Sequence, residues 1–236
     1  LALQYQWRPD SQVYASLSEG FRAGGFNAFA PDSARRYEPE TVRAAEIGVR
    51  GQALDRRLRY ALSVYAMDVR DMQVQQMPAA GLAYISNAAS ARANGLEAEL
   101  QWLLGGGWRL HAALGVNSTR FRRFQDGANR HDGKHNPYAP DLTGELGVRY
   151  EDARGWRLGA SVNGVSKVYL DAANRYQQPG YGLIHLDAAY TLGDVELSAY
   201  VRNAANKRYD AVGFLNGSTV IYSPPREIGL RLNWRL

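Results

Sequence analysis

Few side chains in this chain are suited to bond-making chemistry. There is no cysteine, which excludes a disulfide framework and a thiolate metal site, and there are four histidines. His131 and His135 stand four apart in "NRHDGKHN". On a helix that spacing would aim two imidazoles at one metal. This stretch carries glycine and asparagine, reads as a loop, and lacks further ligands at set spacing, so no metal is expected. His111 and His185 have no catalytic partner near them in sequence. Glu46, Glu97, Glu99, Glu145 and Glu196 suggest paired acid–base chemistry at first sight. Arg50, Arg109, Arg149, Arg157 and Arg202 are interleaved with them, which favours an ion-paired wall over a catalytic pair. Gly105-Gly106-Gly107 is followed by no helix, so it reads as a turn rather than a phosphate cradle. Neither an enzyme nor a cofactor is expected.

The other chemistry-bearing groups concentrate in two loops. "FRAGGFNAFAPDSARRYEP" holds Arg22, Phe26, Phe29, Arg35, Arg36 and Tyr37. "RFRRFQDGANRHDGKHN" holds Arg120, Phe121, Arg122, Arg123, Phe124, Arg130, His131, Lys134 and His135. Guanidinium groups beside aromatic rings suit an anionic ligand with flat faces. Contact with lipid phosphates, or simple solubility, would use the same residues.

The elements that position these loops are strands. Period-two segments dominate and helical periodicity is scarce. Eleven strands are expected, at 1–8, 12–21, 42–51, 58–76, 84–103, 107–124, 141–151, 155–169, 181–192, 195–210 and 224–236. Short connections alternate with longer ones at 22–41, 77–83, 125–140, 170–180 and 211–223. In an antiparallel meander that alternation puts every short turn at one end and every long loop at the other. One face is apolar throughout, as in Trp156, Leu158, Ala160 and Val162 against Arg157, Gly159, Ser161 and Asn163. Glu19 and Asp68 share the apolar parity but lie near long-loop ends. A soluble sandwich also alternates in this way. The tryptophans favour a membrane instead. Trp7, Trp102, Trp108, Trp156 and Trp234, with Tyr150 and Tyr190, all sit at the short-turn ends, where an interfacial aromatic girdle would lie.

The bulk figures agree. The 236 residues carry a formal charge of +5, spread along the chain, which argues against a nucleic-acid patch. No apolar run approaches the ~20 residues of a membrane helix, and a polar lumen dilutes the hydropathy of a barrel. The chain opens mid-strand without a start methionine, as a piece of something longer would. An eleven-strand meander would expose two edges, so these strands are expected to be half of a 22-stranded antiparallel transmembrane β-barrel.

The chain resembles the C-terminal half of the barrel of TonB-dependent outer-membrane receptors. The similar stretches are "VYASLSEGFRAGGFN", then "PETVRAAEIGVRGQ" with Pro39, Glu40, Glu46, Gly48 and Gly51, then "SNAASARANGLEAEL" with Asn87, Ala88, Gly95 and Glu97. "AYVRNAANKRYD" follows with Asn203, Asn206 and Tyr209, and "PPREIGLRLNWRL" closes the chain. The resemblance implies residues 1–236 as part of an all-β barrel in a Gram-negative outer membrane. It implies active uptake of a ferric siderophore, such as a ferric catecholate or carboxylate complex, or of a similar scarce solute. The implied partners are membrane lipid and lipopolysaccharide, the N-terminal barrel half, the plug, and TonB through the plug. A passive porin-like channel and a soluble all-β binding module are the alternatives. The residues expected to contact ligand are Arg22, Phe26, Tyr37, Arg120, Arg122, Arg123, Arg130, His131 and His135. The family usually ends on an aromatic residue, and here the last residue is Leu236.

Overall fold

The computed structural model describes residues 1–28, 30–79, 82–214 and 217–234. Eleven strands follow one another in a single antiparallel sheet, each hydrogen-bonded to its sequence neighbours. They are β1 (Ala2–Arg8), β2 (Ser11–Arg22), β3 (Glu40–Ala53), β4 (Leu58–Ala79), β5 (Leu82–Gly105) and β6 (Trp108–Asp126). β7 (Leu142–Glu151), β8 (Trp156–Val165), β9 (Tyr181–Leu192), β10 (Val195–Arg202) and β11 (Glu227–Trp234) complete the sheet. The sheet is open, with β1 and β11 as its edges.

Three expectations need correction. Residues 77–83 are not a long loop. β4 and β5 run on to form one extended hairpin, paired as far as Ala79↔Leu82. Pro78, which read as a loop residue, falls where the register shifts between Gln76 and Ala79, a place where a missing N–H is tolerated. Second, the strand expected at 155–169 stops at Val165, and Val168–Tyr169 pairs with Gln177–Gln178 inside the loop. Third, the strand expected at 195–210 stops at Arg202, because Asn203 turns the backbone to φ 48°. The Asn203 amide fixes that turn, accepting from the Lys207 N–H at 2.8 Å and donating to the Lys207 carbonyl at 2.9 Å. The last strand is described from Glu227 to Trp234, and Arg235 and Leu236 lie outside the described residues.

The strands differ in reach. β4 has 22 residues and β5 has 24, whereas β7 and β8 have 10 each. About 9–11 tilted residues cross a bilayer, so β4, β5 and β6 continue well past it at the long-loop end.

Alternation sorts the side chains by face. Leu146, Leu158, Val162, Ile184, Leu186, Leu197, Leu230 and Leu232 are all exposed on one face. Register sets them side by side, as in Leu146↔Val162↔Ile184 and Leu197↔Leu232. At the short-turn end of this face Trp108 lies 5.0 Å from Tyr150, and Trp156 lies 4.8 Å from Tyr190. Trp7, Trp102 and Trp234 end their strands at the same side.

The opposite face is polar and ion-paired. Arg157 meets Glu196, His111 Nε2 lies 2.8 Å from Glu145, and Arg109 lies 3.4 Å from Glu151. Two glycines of the motif stretches have a physical role on this face. Gly48 lies directly opposite Tyr14 and Gly95 directly opposite Tyr65. A Cβ at either position would stand 2.6 Å from a tyrosine ring or hydroxyl atom. Each ring lies over bare backbone, a close approach that pins register. The hydroxyls then bond onward, Tyr14 to Glu46 at 2.6 Å and Tyr65 to Asn117 at 3.1 Å.

Candidate functional site

The long connections do not stand as separate loops. The first, residues 23–39, is tied down onto the β4–β5 hairpin. The Asn27 amide donates to the Ile85 carbonyl at 2.8 Å and accepts from its N–H at 2.9 Å. Buried Gln73 donates to the carbonyls of Ala23 and Glu38, and its own N–H goes to Glu40 Oε2 at 2.8 Å. Asn87 donates to the Glu38 carbonyl at 2.8 Å and to that of Asp71 at 2.6 Å. Within this loop Gly25–Phe26 pairs with Arg36–Tyr37. Phe26 is 76% exposed, Tyr37 covers Gly25, and Arg22 stands exposed at the end of β2 opposite Glu40. Phe29 lies outside the described residues.

In the second arginine-rich stretch, β6 turns back at Gly127, and Asn129–Arg130 pairs with its last two residues. Phe121 and Phe124, read from sequence as ligand-facing aromatics, are instead 3% exposed. They pack with Ala89 and Ala91 into a small apolar cluster on the lumen face, supported by Val69, Met72 and Val74. Period-two parity from Leu110 puts Phe121 inward, and a β-bulge between Ser90 and Ala91 lets Phe124 follow. His131 is buried and meets the Phe124 ring edge-on at 5.1 Å. Burial, with Lys134 nearby, holds its imidazole below the usual range. Among the described residues its Nδ1 finds no hydrogen-bond partner. Asp132 accepts the Phe124 N–H at 2.9 Å and pairs with Arg130, which together depress its carboxyl. His135 turns to other partners, the Tyr169 ring at 5.3 Å and Asp141 at 3.4 Å. Among the described residues no three His, Asp or Glu side chains are gathered as metal ligands.

Three later loops knit together above the lumen. Lys134 Nζ donates to the Ala173 carbonyl at 2.7 Å. Asn174 bonds both the N–H and the carbonyl of His135. The Tyr138 hydroxyl donates to the Gly213 carbonyl at 2.9 Å and lies 3.0 Å from the Gly213 N–H. Asp171, 4% exposed, accepts the N–H groups of Arg175 and Tyr176. Asp171, Asn174 and Arg175 were missed in the sequence, although "DAANRY" carries the Asp and Asn that favour such side-chain turns.

Two polar cavities result. One of about 510 Å³ is lined by Asp126, Arg130, His131, Lys134, Asp171 and Arg175, and so joins two loops. The other, of about 790 Å³, is lined by Asp68, Arg70, Arg122, Arg123, Arg130 and Asp132. Arg122 reaches Asp68 at 2.7 Å. Arg120 is engaged with the Gly133 carbonyl at 3.2 Å. The structure therefore brings Arg122, Arg123 and Arg130 together, places His131 and Arg130 at the other cavity, and leaves Arg22, Phe26 and Tyr37 on a separate loop.

A family model described as "TonB dependent receptor-like, beta-barrel" matches residues 1–204. The pesticin receptor of Yersinia enterocolitica is 27% identical over 231 residues, covering 94% of this chain and 33% of the relative. The ferrioxamine receptor of Yersinia enterocolitica is 26% identical over 218 residues, covering 89% of this chain and 29% of the relative. The crystal structure of the ferric yersiniabactin uptake receptor from Yersinia pestis superposes with a TM-score of 0.84 at 22% identity. That superposition covers 99% of this chain and 36% of the other, and at such identity it speaks to fold. The chain spans about a third of the length of these relatives.

Proposed function

The chain belongs to the TonB-dependent receptor β-barrel family, and from that premise we propose that it is the C-terminal part of an active importer of ferric siderophores. Its setting is the outer membrane of a Gram-negative cell. The apolar face meets lipid, and lipopolysaccharide surrounds its outer end. The polar face lines a lumen that a plug from the rest of the receptor would fill, and TonB acts on that plug. The observation that carries the reading is a match along 89% of this chain to a ferrioxamine receptor, beside a match along 94% of it to a pesticin receptor.

Ligand would meet the outside loops first. Arg22, Phe26 and Tyr37 offer cation and ring on one side. Arg130, His131 and Lys134 offer them at the cavity shared with Asp171 and Arg175, where His131 forms part of the wall. A ferric catecholate or carboxylate complex is anionic and flat-faced, which suits guanidinium and aromatic groups.

The test is uptake of radioactive iron by cells expressing the full-length receptor, across a panel of ferric siderophores. Uptake of at least one complex that stops when TonB is removed is the expected result. Uptake that continues without TonB would return the protein to a passive channel. Replacing Lys134 and Arg175 together by Gln should weaken binding of the imported complex by about 1–3 kcal/mol.

A further inference from the structure

The 510 Å³ cavity is a seam between loops 125–140 and 170–180. Side chains of the loops themselves hold its two walls together. The Asn174 amide takes the His135 N–H at 2.8 Å and gives to the His135 carbonyl at 3.0 Å, as a strand partner would. Asn174 sits at φ 56°, a conformation that asparagine adopts more readily than most residues. Lys134 Nζ closes the seam on the Ala173 carbonyl, 2.7 Å away.

The lining decides what fits. An ammonium group has three protons to donate; Lys134 spends one on Ala173, which leaves the others for a ligand. Exposed Arg175 turns Nε to Asp171 at 3.4 Å and lies over the Tyr176 ring. The Nη edge of its fork is therefore left for a planar oxyanion. Asp171 itself is spent, since it is 4% exposed and accepts the N–H groups of Arg175 and Tyr176. Asp126 lines the seam as well, 3.9 Å from His131 Nε2, so the wall is mixed in charge. Among the described residues no phenyl, phenol or indole ring lines the cavity. Gly127, Ala128, Asn129, Ala172 and Ala173 stand there instead. Phe121 and Phe124 are turned away into their own cluster.

We propose that this seam selects ring-free ferric chelates that present carboxylates, and discriminates against catecholates. Lys134 and the Arg175 fork take a carboxylate from opposite loops, one as a point charge and one with two parallel hydrogen bonds. A catechol ring would find no ring face to stack on. It would instead lie against Asn129 and Asp126 and bury polar groups without giving them a partner. The mixed wall also suits a modestly charged complex better than a tris-catecholate, whose high negative charge would meet Asp126. The inference rests on the importer reading and narrows it to one donor chemistry at this cavity.

The experiment uses the purified full-length receptor in detergent. The probes are two ferric complexes built on one tripodal amine scaffold, one with α-hydroxycarboxylate arms and one with catechol arms, and affinity is read by calorimetry. Wild type should bind the hydroxycarboxylate complex about tenfold more tightly or better. Lys134→Gln/Arg175→Gln should lose most of that advantage, with little change for the catecholate. Ala128→Phe, which adds a ring to the exposed lining, should shift preference toward the catecholate, a gain that a misfolded loop would not give. Equal or tighter binding of the catecholate by wild type, binding of neither probe, or equal losses for both probes in the double variant would overturn the proposal. Iron uptake by cells, with and without TonB, separates the two readings. TonB-dependent uptake without the preference sinks the selectivity alone, whereas uptake that continues without TonB sinks the importer reading on which it rests.

Discussion

His131 is buried against the Phe124 ring, with Asp126 3.9 Å from its Nε2, and burial makes its ring take a proton only at a cost. A buried imidazole with a depressed pKa stays neutral in the folded loop. The opened loop binds a proton at its ordinary value of about 6.5, so it takes up more protons than the packed loop below that pH. Stability contributed by neutral packing is therefore complete above about pH 6.5 and is lost as pH falls toward the folded value. Amide protection at Phe124 and His131, corrected for intrinsic exchange, should drop between pH 7.5 and 5. In His131→Phe it should change little. Equal pH sensitivity in both proteins would mean that a group other than His131 drives the opening. Little of this was legible in the sequence. "NRHDGKHN" shows two histidines and cannot show that one abuts Phe124 while the other abuts Tyr169. Arg123 is similar, since its parity depends on a bulge that no residue type announces.

Single strands were read more reliably, because period two is a physical consequence of the pleat. All eleven barrel strands overlap the stretches expected from alternation, and the paired rows are the apolar sets read by parity. The errors fell at the loop ends, where lipid no longer enforces alternation, where Asn203 turns the backbone and where the register of the long hairpin shifts. Two consequences belong to this scale. Leu158 faces outward and Ser161 lines the polar groove with His111 and Asp187. In the full-length receptor Leu158→Arg should lower barrel stability by about 2–4 kcal/mol in a denaturant titration, and Ser161→Arg by clearly less. Equal losses would contradict the assignment of faces. The tryptophans at the short-turn ends should be quenched better by lipids brominated near the headgroups than by lipids brominated at the chain ends. The reverse order would remove them from the interface.

For the whole molecule, what the sequence hid is the packing of loop on loop. Lys134 with Ala173, Tyr138 with Gly213, and Gln178 with Asp210 each join segments 32 to 75 residues apart, and no local pattern encodes the meeting. What it did carry is the consequence of an open sheet. β1 offers 7 residues and β11 offers 8 along the two edges. About half of the backbone N–H and C=O groups of an edge strand lack a partner, and in hydrocarbon each costs several kcal/mol. The sum is on the order of tens of kcal/mol, far beyond the ~5–15 kcal/mol margin of a folded domain. The edges must therefore be covered, by the other strands of the receptor or by a second copy. Residues 1–236 expressed alone should aggregate or pair with themselves when refolded into liposomes. Co-refolding with the N-terminal barrel segment should instead give a protease-resistant species whose gel mobility changes on heating. A closed, monomeric, protease-resistant barrel from residues 1–236 alone would show that β1 and β11 can meet. That outcome would defeat the half-barrel reading, because strands at the two ends of an odd-numbered meander run parallel and closure would need a parallel seam.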